Sequence, residues 1–189
     1  MAINCTLNKS ILRTSSCGYS LNSVKDLYLA NREDIKDIKY AETGEVESVI
    51  FKTVPEGEEA PKWAHIMPAT DSASFTDALT KLDGGGSYRT QTISFKITGD
   101  YTPAMVAVVD ALSLGEFVGV ARLASGVFVM LGSEAVGLTA DTVTNNGAAT
   151  ASDFSGIEVV LSGDLTVSSA PLSEAAITEM EANIYEALK

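Results

Sequence analysis

Thr90–Thr98 reads TQTISFKIT, and its alternation decides the fold class. Ile93, Phe95 and Ile97 fall on one parity, and Thr92, Ser94, Lys96 and Thr98 on the other. That is the pattern of a strand in a sheet with one solvated side. A turn at Gly99–Asp100 follows, and then TPAMVAVVDAL, Thr102–Leu112. Thr102 suits an N-cap and Pro103 the first helical position. Met105, Val109 and Leu112 give the helix its buried stripe, with Val106 and Val108 beside it, and Gly115 stops it. The helix is short and rich in β-branched residues, so tertiary packing must hold it. EFVGVARL (Glu116–Leu123) and VFVML (Val127–Leu131), joined by Ala124-Ser125-Gly126, then form a hairpin that is apolar on both faces and therefore central. Gly119, inside the first of these strands, predicts a bend or a close backbone approach. Gly132–Ser155 reads as a polar loop with Asn145-Asn146-Gly147 as its turn. In Gly156–Ser162, Ile157, Val159 and Leu161 make the last core strand. Gly163-Asp164 turns into Leu165–Ser168, and Pro171 closes the sheet region.

Upstream, residues 1–20 are polar and weakly patterned. They are either a first strand around Ile11–Arg13 or an arm that orders against a neighbour. Lys25–Ala30 alternates as a strand, and Asn31 begins a charged turn. Ile38–Tyr40 and Val46–Lys52 flank Ala41–Glu45 as a β-hairpin. PEGEEAPK, Pro55–Lys62, admits no regular element and predicts an exposed loop across residues 53–62. Trp63–Met67 resumes an extended apolar segment. Ser72–Leu82 fits strand and helix equally, and Gly84-Gly85-Gly86 ends it. After Pro171, Ile177, Met180, Ile184 and Leu188 recur at helical spacing. A terminal amphipathic helix is therefore expected over 172–189, with Glu174, Glu181 and Glu186 on its outer side. The fold class so reached is mainly β: a sandwich or barrel of two packed antiparallel sheets over 21–171, one short flanking helix, and the C-terminal helix.

Composition bounds the function. A chain of 189 residues, 46% apolar, is long enough to bury one substantial core. A net charge of −12 argues against a protein that grips nucleic acid, which needs clustered Lys and Arg. Cys5 and Cys17 are the only cysteines, too few for a disulfide framework and without CxxC spacing; two free thiols are expected. The first twenty residues lack the pattern of a Sec signal peptide, and no window matches a membrane span. Synthesis and folding in the cytoplasm without processing are the expectation.

The residues offer little chemistry. His65 is the single histidine, with no partner for a metal site, and no GxSxG motif accompanies it. Asp83-Gly84-Gly85-Gly86-Ser87 lacks the GK[ST] ending and the following helix of a phosphate cradle. Asp141, Asp153 and Asp164 sit near glycines as turn formers and are not at EF-hand spacing. No enzyme, cofactor or metal is expected. Trp63 beside the acidic loop suits either an interface anchor or plain core.

Three segments carry a resemblance. They are SFKITGDYTPAMVAVVDAL (Ser94–Leu112), FVGVARLASGVFVMLGSEAVGL (Phe117–Leu138) and NNGAATASDFSGIEVVLSGD (Asn145–Asp164). Together with the acidity, they resemble tailed-phage virion structural proteins, most of all tail tube proteins. The last two look like the hairpin, polar loop and return strand of tail proteins from Bacteroidetes-infecting phages. The resemblance spans Tyr88 to Pro171. It implies rings, usually of six subunits, that stack into a tube conducting DNA, with other tail or neck proteins as partners and the virion as location. An acidic wall would repel the passing DNA, which carries about one negative charge per 1.7 Å of axis. The same charge spread over the outside is equally compatible with the sequence. Glu42, Glu45, Glu56, Glu58, Glu59 and Trp63, with Ile177, Met180, Ile184 and Leu188 of the terminal helix, are the candidate self-assembly residues. Two alternatives stand: a head–tail adaptor, neck or capsid-decoration protein, and an unrelated β-sandwich binding module, for example for carbohydrate.

Overall fold

The computed structural model describes residues 23–57, 59–98, 102–147 and 154–186. Cys5, Cys17, the Ile11–Arg13 segment, Glu58, the Gly99–Asp100 turn, Asp153 and Leu188 lie outside the described residues. In chain order the strands are β1 (Val24–Asn31), β2 (Ile35–Tyr40), β3 (Val46–Phe51), β4 (Ala64–Ile66), β5 (Ser74–Lys81) and β6 (Ser87–Ile97). Helix α1 (Pro103–Leu114) follows, then β7 (Glu116–Leu123), β8 (Phe128–Leu131), β9 (Leu138–Asn146), β10 (Gly156–Leu165), β11 (Ala170–Pro171) and helix α2 (Glu174–Glu181).

The sheet is organised around β7. One flank pairs antiparallel with β1, from Asn31↔Phe117 to Val24↔Leu123. The other flank meets β9 at its start, through Glu116↔Thr139 and Phe117↔Leu138, and β8 beyond, from Gly119↔Leu131 to Arg122↔Phe128. The sheet therefore divides. β8 carries β11, whereas β9 leads on through β10 and β6 to β5 at the edge, and β4 adds to β1. β2 and β3 form a separate two-stranded sheet.

Alternation along the central strands sends side chains into two cores. On one face Tyr28, Val118, Val120, Phe128 and Met130 pack with Ile35, Ile38, Val46 and Val49 of the small sheet and with Ala176 and Met180 of α2. On the other, Leu27, Leu29, Phe117, Ala121 and Leu131 meet Ile93, Phe95, Ile157, Val159 and Leu161, with Leu112 of α1. Strands of one sheet line both sides of this second core, so β9-β10-β6-β5 curls back over β1 and β7. The result is a mainly antiparallel β fold with a large sheet, a small sheet and two helices, the class that the alternation predicts. Gly119 makes the close approach expected of it: a Cβ there would stand 2.5 Å from Ile93 Cδ1.

Three expectations need correction, and one open reading is resolved. β9 occupies much of the stretch expected to be loop, and it runs through Asn145 and Asn146, which the turn signal had suggested were a turn. Gly163-Asp164 is not a turn but part of β10. Gly163 is required there because a Cβ would lie 2.6 Å from the Gly137 carbonyl oxygen. Ser72–Leu82, open between helix and strand, is β5, paired with β6 from Ser74↔Ser94 to Lys81↔Ser87. Finally, α2 ends at Glu181, well short of the expected helix. Asn31 precedes its turn as anticipated, but its side chain donates to Asp34 Oδ2 (2.9 Å) and does not cap the backbone.

Candidate self-assembly surfaces

The β2–β3 turn closes through Ala41 N–H to Glu45 O (2.8 Å) and Gly44 N–H to Ala41 O (3.0 Å). Gly44 supplies the left-handed conformation that this turn requires, with φ of 92°. Glu42 and Glu45 are exposed at this tip. The Pro/Glu loop departs from β3 after Lys52, whose N–H donates to Asp34 O (2.8 Å). Glu56 and Glu59 project from it into solvent, and Glu59 makes a 3.5 Å ion pair with Lys62. Tip and loop thus display carboxylates that the fold's own core does not use.

Trp63, Ile177, Met180 and Ile184 turn to the chain's own core, Trp63 and Met180 buried and Ile177 and Ile184 partly buried against it. Trp63 is 2% exposed and meets the Phe51 ring edge-on at 5.8 Å. Its backbone is held on both sides, donating to Asn183 O (3.0 Å) and accepting from Tyr185 N–H (2.9 Å). Met180 is buried at 3% exposure, and Ile177 packs partly buried against the same core. Ile184 lies past the helix, in a parallel bridge to Trp63. Of the apolar stripe, Ile177 and Met180 belong to α2 and Ile184 to the extended segment after it. Ser173 caps α2 by accepting from Ala176 N–H (3.3 Å), and the helix covers its own sheet.

His65 stacks on Tyr28, with ring centroids 4.7 Å apart and planes at 11°. Its Nε2 lies 3.2 Å from Asp26 Oδ1, and Arg122 donates to Asp26 Oδ2 at 3.3 Å. Burial first, and then the Asp26 and Glu181 carboxylates, push the Tyr28 phenol above its ordinary range, so it stays protonated. The group is a network of stacking and ion pairing. Between β4, α1 and the segment after α2 lies a cavity of about 410 Å³, lined mainly by apolar side chains such as Leu29, Val108 and Phe117. Among the described residues no group of three or more His, Cys, Asp or Glu could hold a metal ion. Asp141 and Asp164 instead accept from Ser162 Oγ and Thr90 Oγ1, each at 2.7 Å. The Asp83–Ser87 glycines form the β5–β6 hairpin turn, closed by Leu82 N–H to Gly86 O (2.8 Å).

Two features escaped the sequence. Gln91 is completely buried, accepting from Gly132 N–H (2.8 Å) and donating to Val167 O (3.0 Å). Its position on the apolar parity of TQTISFKIT was the available signal. The second is the outer edge of β5, eight residues long and with no strand beside it among the described residues. Compared with models of protein families, with curated proteins and with solved structures, the chain matches none.

Proposed function

We propose that this chain is a non-enzymatic structural protein of a tailed-phage virion, whose copies close into rings that stack as a tail tube. The observation that carries the proposal is the pair of acidic projections, the β2–β3 tip and the Pro/Glu loop, standing out from a tightly packed β fold. Side chains that no core needs are suited to a neighbouring copy. The net charge of −12 supports the same reading, because a conduit must release the DNA that passes through it. The rival carbohydrate-binding module loses its best aromatic platform, since Trp63 is buried. Sedimentation velocity of the full chain and of a variant lacking Glu56–Ala60 tests the proposal. The full chain should sediment as rings or larger assemblies. The deletion should leave a folded monomer with an unchanged thermal transition. Equal assembly by both would remove the loop from the interface, and monomers in both would refute the ring.

A further inference from the structure

We propose that β5 is an edge through which two copies of this chain pair, antiparallel about a two-fold axis, with Ala78 opposite Ala78 of the partner subunit. An unpaired strand edge offers a row of N–H and C=O groups to any strand that can lie beside it, and folded proteins normally blunt such edges. This protein blunts the others. On β2, the Ile38 N–H is taken by Glu134 Oε2 at 3.0 Å. On β3, Val46 O accepts from Ser173 N–H (2.9 Å), with Leu172 bridged alongside. β4 is three residues long and is flanked at Trp63 by Asn183 and Tyr185. β11 is two residues long and ends in Pro171. Past its short pairing with β7, β9 is packed by α1. β5 is different: eight residues without proline or glycine, paired among the described residues with β6 alone.

The register follows from the faces. Phe75, Asp77 and Leu79 oppose Ile93, Gln91 and Arg89 and so share the core-side face. Thr76, Ala78 and Thr80 share the outer face. A continuous sheet keeps each face, so the axis must fall on a residue, either Asp77 or Ala78. An axis at Asp77 sets two carboxylates directly opposite, which is unfavourable. An axis at Ala78 sets small side chains at the centre, Thr76 opposite Thr80 of the partner subunit, and Asp77 diagonal to Lys81 of the partner subunit. On the core-side face Asp77 then lies opposite Leu79 of the partner subunit, and Phe75 opposite Lys81 of the partner subunit. An inward-pointing charge is one of the devices that protect edges, but Asp77 is already engaged. It accepts from Arg89 Nε (2.6 Å) and from Ser169 N–H (2.9 Å) and Oγ (2.8 Å). Eight residues a side make a contact at the small end of specific interfaces, under about 1,200 Å² in total. The pairing is therefore weak and concentration-dependent. It does not depend on the virion reading, since a two-fold contact can join two molecules or two rings face to face.

Disulfide trapping tests the contact directly. In a full chain with Cys5→Ser and Cys17→Ser, Ala78→Cys puts a thiol on the axis. Directly opposed Cβ atoms lie about 4.5–5.5 Å apart, near disulfide range. Under mild oxidation A78C should cross-link into dimers at least tenfold faster than Thr142→Cys, an exposed position on β9. Ala78 is exposed, so Ala78→Lys should leave the thermal transition in place while abolishing any dimer in sedimentation. Cross-linking of A78C no faster than T142C, or a dimer that survives A78K, would overturn the proposal.

Discussion

Replacing Gln91 with leucine should cost more than any surface change in this chain. The amide is fully buried in the second core's strand β6 and ties two turns together, one through Gly132 N–H and one through Val167 O. Leucine keeps much of the volume and removes both partners. The Gly132 N–H is then left buried and unpaired, at about 1–3 kcal/mol. The Val167 carbonyl belongs to a residue 37% exposed and can turn to water, so its share is small. The extra apolar burial of leucine offsets part of the loss, leaving a net destabilisation of about 2 kcal/mol. At this chain length that corresponds to a fall of about 4–8 °C in Tm. Gln91→Glu adds a pH signature. A buried carboxylate has its folded pKa raised above the unfolded value of about 4.3, so its protonated form suits the site. Q91E should therefore be closest to wild type near pH 4 and lose stability as the pH rises. Urea unfolding across pH 4–8 measures both variants. A Q91L midpoint within error of wild type, or a Q91E deficit that shrinks with rising pH, would refute the reasoning.

Gly119→Ala should destabilise by about 1–3 kcal/mol through overpacking, because the new methyl meets Ile93 Cδ1 at 2.5 Å, and a companion Ile93→Val should recover part of that in urea titrations. Burial opposes ionisation of Asp77, but the hydrogen bonds from Arg89 and Ser169 outweigh it and hold the carboxyl below its ordinary value. Its contribution is thus present above the unfolded pKa of about 3.9 and lost as pH falls through the folded one. Asp77→Asn should be less stable at neutral pH and show a shallower loss on acidification below about pH 4. Met180→Ala should cost about 2–5 kcal/mol by opening a cavity under α2, and Ile177→Asp with Ile184→Asp should unfold the monomer itself, as followed by circular dichroism. A double variant that folds normally would contradict the placement of α2 on its own sheet.

The sequence was most legible where one face of an element is strongly apolar. β6 and β10 repeat Ile, Val, Phe and Leu at period two, the β7–β8 hairpin is apolar on both faces, and α1 has both its cap and its stop. β9 escaped because Leu138, Ala140 and Val143 are its only inward apolar residues, while threonine, asparagine and aspartate suggest a loop. Its strand conformation is imposed by pairing with β10, which no local signal announces. The terminal stripe misled for a different reason: Ile184 keeps helical spacing from Met180 while pairing as extended chain with Trp63. Turn and loop chemistry correctly put the carboxylates Glu42, Glu45, Glu56 and Glu59 at exposed positions. Trp63, open between interface anchor and core, is core; one tryptophan beside a polar loop gives no sign of which way it points. The free edge of β5 was out of reach, since an edge is a property of the whole sheet.

Negative-stain electron microscopy of the purified full chain tests the central claim most directly. The proposed role predicts rings that stack into tubes of uniform width at raised protein concentration. Single rings that never stack would favour the adaptor reading, and a field of monomers at every concentration would contradict the virion tube outright.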